Sequence, residues 1–191
     1  MRLVALSGSL RARSTNNAVL HTALDLLDPV ADSVRTPDIA ALPHFNPDLD
    51  PEGATPPPAV AALRAAVAEA DAVLIVSPEY AHGVPGSLKN ALDWLVSGTE
   101  LAGRPTAVLT GSPAPGGGAH AHAQLRETLR TMDGDIVDAA CLAIGTIASK
   151  IDHATGRTAD PATSQAVRGA MAALRAATAA GTGAAAAGRA G

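Results

Sequence analysis

The sequence predicts an α/β fold, a doubly wound parallel sheet covered by helices. Three observations predict it. Short apolar runs alternate along the chain with helical stretches. Runs such as Ala72-Val73-Leu74-Ile75-Val76 lack the alternation of a half-exposed strand, so they are expected to be buried on both faces. Loops rich in Gly, Ser and Pro follow three of these runs, over residues 7–16, 77–86 and 111–118.

The elements follow in order. Residues 3–6 form the first strand, and Leu20, Leu24 and Leu27 at i, i+4 and i+7 give the next helix one apolar face. A second strand is placed at Ser33–Arg35, before a loop rich in Pro and Asp over residues 37–58. Val60, Leu63 and Val67 mark a helix, and residues 71–76 the third strand. Leu88, Leu92 and Leu95 line a helix over residues 87–96. Trp94 points away from that stripe, which predicts either a second face for another copy to cover or a place in the core. Residues 106–110 form the fourth strand, and Leu125, Leu129 and Met132 mark the fourth helix. A last strand falls within residues 136–144, and Val167, Met171 and Leu174 seat a final helix. One domain is expected over residues 1–178, with a disordered Gly/Ala-rich tail over residues 179–191 that has little to bury. Five strands with intervening helices leave several doubly wound orders open.

Composition narrows the function classes. The chain is 47% hydrophobic but only 2% aromatic, so the core is built from Ala, Val, Leu and Ile. Its one Tyr, one Trp and one Phe become informative by position. A net charge of −4 over 191 residues offers no broad attraction to nucleic acid or an anionic membrane, so any phosphate site is local. Cys141 stands alone, which excludes an intramolecular disulfide and multi-cysteine metal sites and fits a reducing compartment. It is expected to be a small buried hydrophobe rather than a reactive thiol. No apolar run resembles a signal peptide or spans a bilayer, and a cytoplasmic location is expected.

Ligands of open α/β sheets bind beyond the carboxyl ends of the strands. The first loop, Ser7-Gly8-Ser9-Leu10-Arg11-Ala12-Arg13-Ser14-Thr15-Asn16, joins a strand to a helix N-terminus, where unpaired N–H groups and the helix dipole suit a phosphate. It lacks both Gly-x-Gly-x-x-Gly and Gly-Lys-Ser/Thr, against a dinucleotide fingerprint and an NTPase. Simple capping by Ser14 or Thr15 accounts for the small residues equally well. Arg11 adds a guanidinium suited to a phosphate monoester.

In the second loop, Pro78 and Pro85 stiffen the chain while Gly83 and Gly86 admit a planar ligand close to the backbone. Glu79 and His82 admit an acid–base reading or a place as surface loop side chains; no partner at fixed spacing decides. The third loop, with Ser112 and Gly117, either closes the other edge of the ligand or is a flexible linker. His120 and His122 lie two apart on a helix and do not face each other, so no metal site is expected.

The chain resembles the NADPH-dependent FMN reductases, whose fold is flavodoxin-like. The likeness is carried by Gly8-Ser9-Leu10-Arg11-x-x-Ser14-x-Asn16, by Pro78-Glu79-Tyr80-x-x-Gly83-x-Pro85-Gly86-x-Leu88-Lys89-Asn90-x-x-Asp93-Trp94, and by Leu42-Pro43-x-Phe45-Asn46-x-Asp48-Leu49. It runs from about Met1 to Met171. The resemblance implies strand order 2-1-3-4-5, helices on both faces, and FMN as cofactor with NADPH or NADH as co-substrate. It implies that Ser9, Leu10, Arg11, Ser14 and Asn16 hold the FMN phosphate. It also implies that Pro78, Glu79, Tyr80, Ala81, His82 and Gly83 run along the isoalloxazine and that Ser112 and Gly117 complete the site. Family members often carry Asn where this chain has His82, and the third loop is unusually rich in Pro and Gly.

The activity implied is hydride transfer from a reduced nicotinamide through FMN to a quinone, flavin, azo compound or similar small-molecule acceptor, by a ping-pong mechanism, in a homodimer or homotetramer. No side chain is required as nucleophile or base. The alternative is a flavodoxin-type electron carrier with protein partners; a flavin-binding regulatory module is a third reading. Carriers usually shield the flavin with aromatic side chains and are strongly acidic. Here only Tyr80 is placed near the ring.

Overall fold

The computed structural model describes residues 1–187. Its main sheet holds β1 Arg2–Ser7, β2 Ser33–Arg35, β3 Ala72–Ser77, β4 Pro105–Gly111, β5 Asp135–Ile136 and β6 Leu142–Ile144. The order is β2-β1-β3-β4-β5 with β6 also on β4, and every pairing is parallel. A hairpin of β7 Ile151–Asp152 and β8 Arg157–Thr158 stands apart. The helices are α1 Thr15–Leu24, α2 Pro58–Glu69, α3 Gly86–Val96, α4 Ala119–Thr131 and α5 Pro161–Ala187.

Both sheet faces are covered, which is why the strands are continuous apolar runs. Val4, Leu6, Val73, Ile75 and Val108 face α2, α3 and α4. Leu3, Ala5, Leu74, Val76 and Leu109 face α1 and α5. The expected stripes of α2 (Val60, Leu63, Val67), α3 (Leu88, Leu92, Leu95) and α5 (Val167, Met171, Leu174) all lie in these cores.

Three expectations about these elements are corrected, and one open alternative is decided. Helix α1 stops at Leu24, where Asp25 turns to pair with Arg157 of β8, so Leu27 packs from a turn beyond it. Met132 likewise falls at the C-cap of α4, just beyond the helix. The last strand is two short ones, β5 and β6, separated by a 3-10 turn at Asp138–Ala140. Asp and Ala are poor strand formers, and Asp138 reaches across to Arg126 of α4 instead of extending the ladder. Trp94, finally, presents no uncovered face. It is fully buried; its indole Nε1 donates to the Pro43 carbonyl at 2.8 Å, and its ring meets Phe45 edge-on at 5.1 Å.

That contact belongs to a larger anchorage. Asn90 donates to the same Pro43 carbonyl (3.0 Å) and accepts from the Phe45 N–H (2.8 Å). Arg64 of α2 donates to Asp50 (2.7 Å) and to the Trp94 carbonyl (2.7 Å). At the chain start, the enclosed Asp32 carboxylate pairs with the Met1 ammonium (3.0 Å) and with Arg175 of α5. These donors, the Arg175 guanidinium first, hold its carboxyl far below the usual range.

The Ala-rich end of α5 continues through Ala187, since Ala is the best helix former. The stretch expected to be disordered from residue 179 is therefore helical to 187. Residues 188–191 of that expected tail lie outside the described residues.

Candidate active site

Parallel register brings Ser7 beside Val76, Ser77 beside Thr110 and Gly111 beside Ile144, so the three loops leave one edge of the sheet together. Close backbone approach locks them. A Cβ on Gly8 would lie 2.3 Å from the Ser77 Oγ, so only glycine lets the end of β1 pass beneath the second loop.

In the first loop, the Ser14 Oγ caps α1 by accepting from the N–H groups of Asn16 (3.2 Å) and Asn17 (3.4 Å). The capping and phosphate readings are compatible, because a hydroxyl that accepts from N–H groups keeps its own proton to donate. Ser9 is buried and its Oγ accepts from the Arg11 N–H (3.4 Å), while Leu10, Arg11 and Arg13 are exposed. Seven arginines pair with carboxylates; Arg11 and Arg13 form no ion pair among the described residues. The free Arg11 guanidinium and a helix N-terminus with no acidic residue in its first turn make this loop the electropositive end of the site.

Asn16 is set apart from that rim. It is 3% exposed, and its amide donates to the Gly111 carbonyl (3.1 Å), tying the first loop to the end of β4, while its Oδ1 is buried without a partner.

In the second loop, the Glu79 carboxylate accepts from the Ala121 N–H (2.9 Å). It caps α4 from 42 residues away, a task at once structural and electrostatic. Tyr80 and Gly83 exchange both backbone hydrogen bonds (3.0 and 2.9 Å) around a two-residue turn. Its central residues, Ala81 and His82, both take positive φ, 49° and 58°. Tight turns of this hand favour Asn-Gly, so Ala-His is strained there. The His82 ring stacks on His120 of α4 (4.4 Å between centroids), and the Tyr80 side chain is exposed.

The third loop is a fixed structure and no flexible linker. Ser112 exchanges backbone bonds with the end of β6 and the turn beyond it, donating to Ile144 O and accepting from Ile147 N (3.1 Å each), and its Oγ accepts from the Ala114 N–H (3.2 Å). Gly117 has φ 65°, and a Cβ on it would sit 2.5 Å from the Ala143 carbonyl carbon. Residues 144–147, which carry no motif of their own in the sequence, form the floor of this loop. The Gly145-Thr146 pair, with Thr146 at positive φ, was its only available signal.

Two remaining groups are accounted for. His122 is half-buried with Nδ1 3.2 Å from the Thr110 Oγ1, and burial lowers its pKa. Cys141 is half-buried and not fully buried as expected, and burial pushes its thiol pKa up. No group of three His, Cys, Asp or Glu suited to a metal occurs among the described residues.

Residues 1–149 match the family model for NADPH-dependent FMN reductase. The chain belongs to the NADPH-dependent FMN reductase family. It is 37% identical over 166 residues to a quinone reductase of Escherichia coli (strain K12), covering 85% of this chain and 87% of that one. To an NAD(P)H-dependent FMN reductase of Pseudomonas aeruginosa it is 38% identical over 135 residues, 70% and 71% of the two chains. The flavoenzyme NAD(P)H:(acceptor) oxidoreductase of Paracoccus denitrificans superposes with a TM-score of 0.77 at 29% identity, over 93% and 96% of the chains. The family assignment makes this protein an oxidoreductase that uses FMN and NAD(P)H, and the sheet order is that of the flavodoxin-like fold.

The residues present fit such a cofactor. A monophosphate at the first loop would meet the unpaired Arg11 guanidinium and the positive end of α1, and a flat ring would meet a backbone edge stiffened by Pro78 and Pro85.

Proposed function

We propose that the protein passes hydride from NADPH or NADH to a quinone, in a ping-pong cycle at one open face. FMN, when bound, supplies the redox chemistry, and the chain supplies binding and orientation. In this reading Ser9, Leu10, Arg11 and Ser14 hold the phosphate, and Asn16 braces that loop against β4. The backbone of Pro78, Glu79, Tyr80, Ala81, His82 and Gly83 borders the isoalloxazine, and Ser112 and Gly117 shape its far edge.

One observation carries the choice of enzyme over carrier. Trp94 lies in the core and Phe45 packs against it, so of the three aromatic side chains only Tyr80 stands at the loop cluster. One aromatic side chain cannot sandwich a ring, and an uncovered face admits small stacking substrates. Since donor and acceptor need the same face, they occupy it in turn. The identity of the Escherichia coli relative supports quinone as the acceptor.

We also propose a cytoplasmic location, supported by the lone cysteine, and a homodimer or homotetramer, supported by the family resemblance alone now that Trp94 lies in the core. No helix among the described residues is long and apolar enough to cross a membrane.

Steady-state oxidation of NADPH by the FMN-loaded protein, with and without a soluble benzoquinone, tests the reading. Parallel double-reciprocal plots are expected; intersecting plots would defeat the shared face. Arg11→Ala is expected to weaken FMN binding by about 1.5–3 kcal/mol, measured by flavin fluorescence quenching. An unchanged dissociation constant would move the phosphate elsewhere.

A further inference from the structure

Between the first loop, α1 and the β7–β8 hairpin lies a second cavity of about 120 Å³, which shares only Ser14 with the residues proposed to hold FMN. Its polar walls come from three separate pieces of chain: Arg13 and Ser14 of the loop, Asn17 and His21 of α1, and His153 with Gly156 from the β7–β8 hairpin. The volume suits one tetrahedral oxyanion or a few waters, and is too small for a nucleoside.

The chemistry of the lining is one-sided. A guanidinium, two imidazoles, a hydroxyl and a carboxamide border it, and no carboxylate does. The two carboxylates that interact with its imidazoles each have a stronger partner elsewhere. Asp25, beside His21, pairs with Arg157; Asp152, beside His153, accepts from the Ala154 N–H (2.8 Å) and the Thr155 hydroxyl (2.9 Å). Arg13, by contrast, has no anionic partner among the described residues, in a chain whose arginines are mostly paired. A guanidinium and two imidazoles on one small cavity are donors suited to a phosphate monoester.

We infer that this cavity is a second anion site, for a phosphate monoester, and that it takes the 2′-phosphate that distinguishes NADPH from NADH. This rests on the reading that the protein uses a reduced nicotinamide. The same phosphate chemistry is offered by free inorganic phosphate, and the test separates the two sources.

The FMN-saturated protein, in which the cofactor's phosphate already fills the first loop, is titrated with 2′-AMP, inorganic phosphate and adenosine while the ring resonances of His21 and His153 and the Arg13 Nε–H are followed by NMR. We expect 2′-AMP to move all three and adenosine to move none. Arg13→Ala is expected to weaken 2′-AMP at least tenfold and to raise the KM for NADPH by a similar factor. It leaves the KM for NADH and the FMN content unchanged. Arg13→Lys, which keeps the charge, should recover most of the loss. Absence of shifts with both phosphates overturns the site. Equal affinity for inorganic phosphate, with the NADPH to NADH ratio unmoved in Arg13→Ala, overturns the coenzyme assignment. Failure to load FMN would instead count against the flavoenzyme reading, and the same titration on the protein as purified still reports on the cavity.

Discussion

Replacing Ala81 by Gly removes a single methyl from a turn whose two central residues both have positive φ. A residue with a Cβ pays about 1–2 kcal/mol in that region. Glycine escapes this cost, but its freer unfolded chain returns about 0.5–1 kcal/mol of the gain. The Ala81 side chain is exposed, so no packing is lost. The net expectation is a gain of about 0.5–1 kcal/mol, which for a domain of this size raises the melting temperature by about 1–4 °C. Ala81→Val puts a β-branched side chain into the same conformation and should lower stability by about 1–2 kcal/mol. Thermal unfolding followed by circular dichroism, at one fixed FMN concentration because bound cofactor itself shifts the midpoint, measures both variants. A glycine variant less stable than its parent, or two variants that shift in the same direction, would show that the turn stores no strain.

Gly117→Ala should be far more damaging, by about 2–4 kcal/mol in urea unfolding, because its new Cβ meets backbone that has no room to move as well as an unfavourable φ. Glu79→Gln keeps a hydrogen-bond acceptor at the start of α4 but removes the charge, for a loss of about 0.3–1 kcal/mol; Glu79→Ala removes both and should cost about 1–2 kcal/mol, read as the difference between their unfolding midpoints. Asp32 has a folded-state pKa depressed below its unfolded value of about 3.9, so its stabilising contribution is complete above about pH 5 and drains away as pH falls toward the folded value. Asp32→Asn should therefore lower stability at pH 7 and flatten the acid limb of a stability profile; an acid limb as steep as the parent's would reassign acid sensitivity to other carboxylates.

What the sequence revealed and what it hid follow from the range of the interactions involved. β1, β3 and β4 were legible because strands buried on both faces must be continuously apolar, and the Ser14 cap because its partners lie two and three residues on. Leu27 misled because helical spacing continues past the point where Asp25 finds Arg157, 132 residues away. Trp94 was ambiguous for the same reason. An indole off the apolar stripe needs a distant acceptor to be buried, and the Pro43 carbonyl lies 51 residues back. Glu79 resembled a loose loop carboxylate since its partner, an orphan helix N–H, exists only once α4 has docked. Asn16 stood in the first motif as a phosphate ligand, yet its contact with Gly111 spans 95 residues and shows only in the folded chain.

The stretch between β2 and α2 has no strand of its own, yet α2 and α3 clasp it at Pro43, Phe45 and Asp50. Helix α3 begins at Gly86, where the second loop ends, and it receives these clasps about one turn on at Asn90 and a further turn on at Trp94. The arrangement works as a tiller: the long stretch grips a rigid rod, and the start of that rod carries the second loop, the proposed wall beside the flavin. Sequence change in that stretch is thus expected to reach the second loop through α3. Grafting residues 36–57 from a relative is accordingly expected to change acceptor preference, read as the ratio of kcat/KM for two quinones, while every residue of the loop cluster stays as it is.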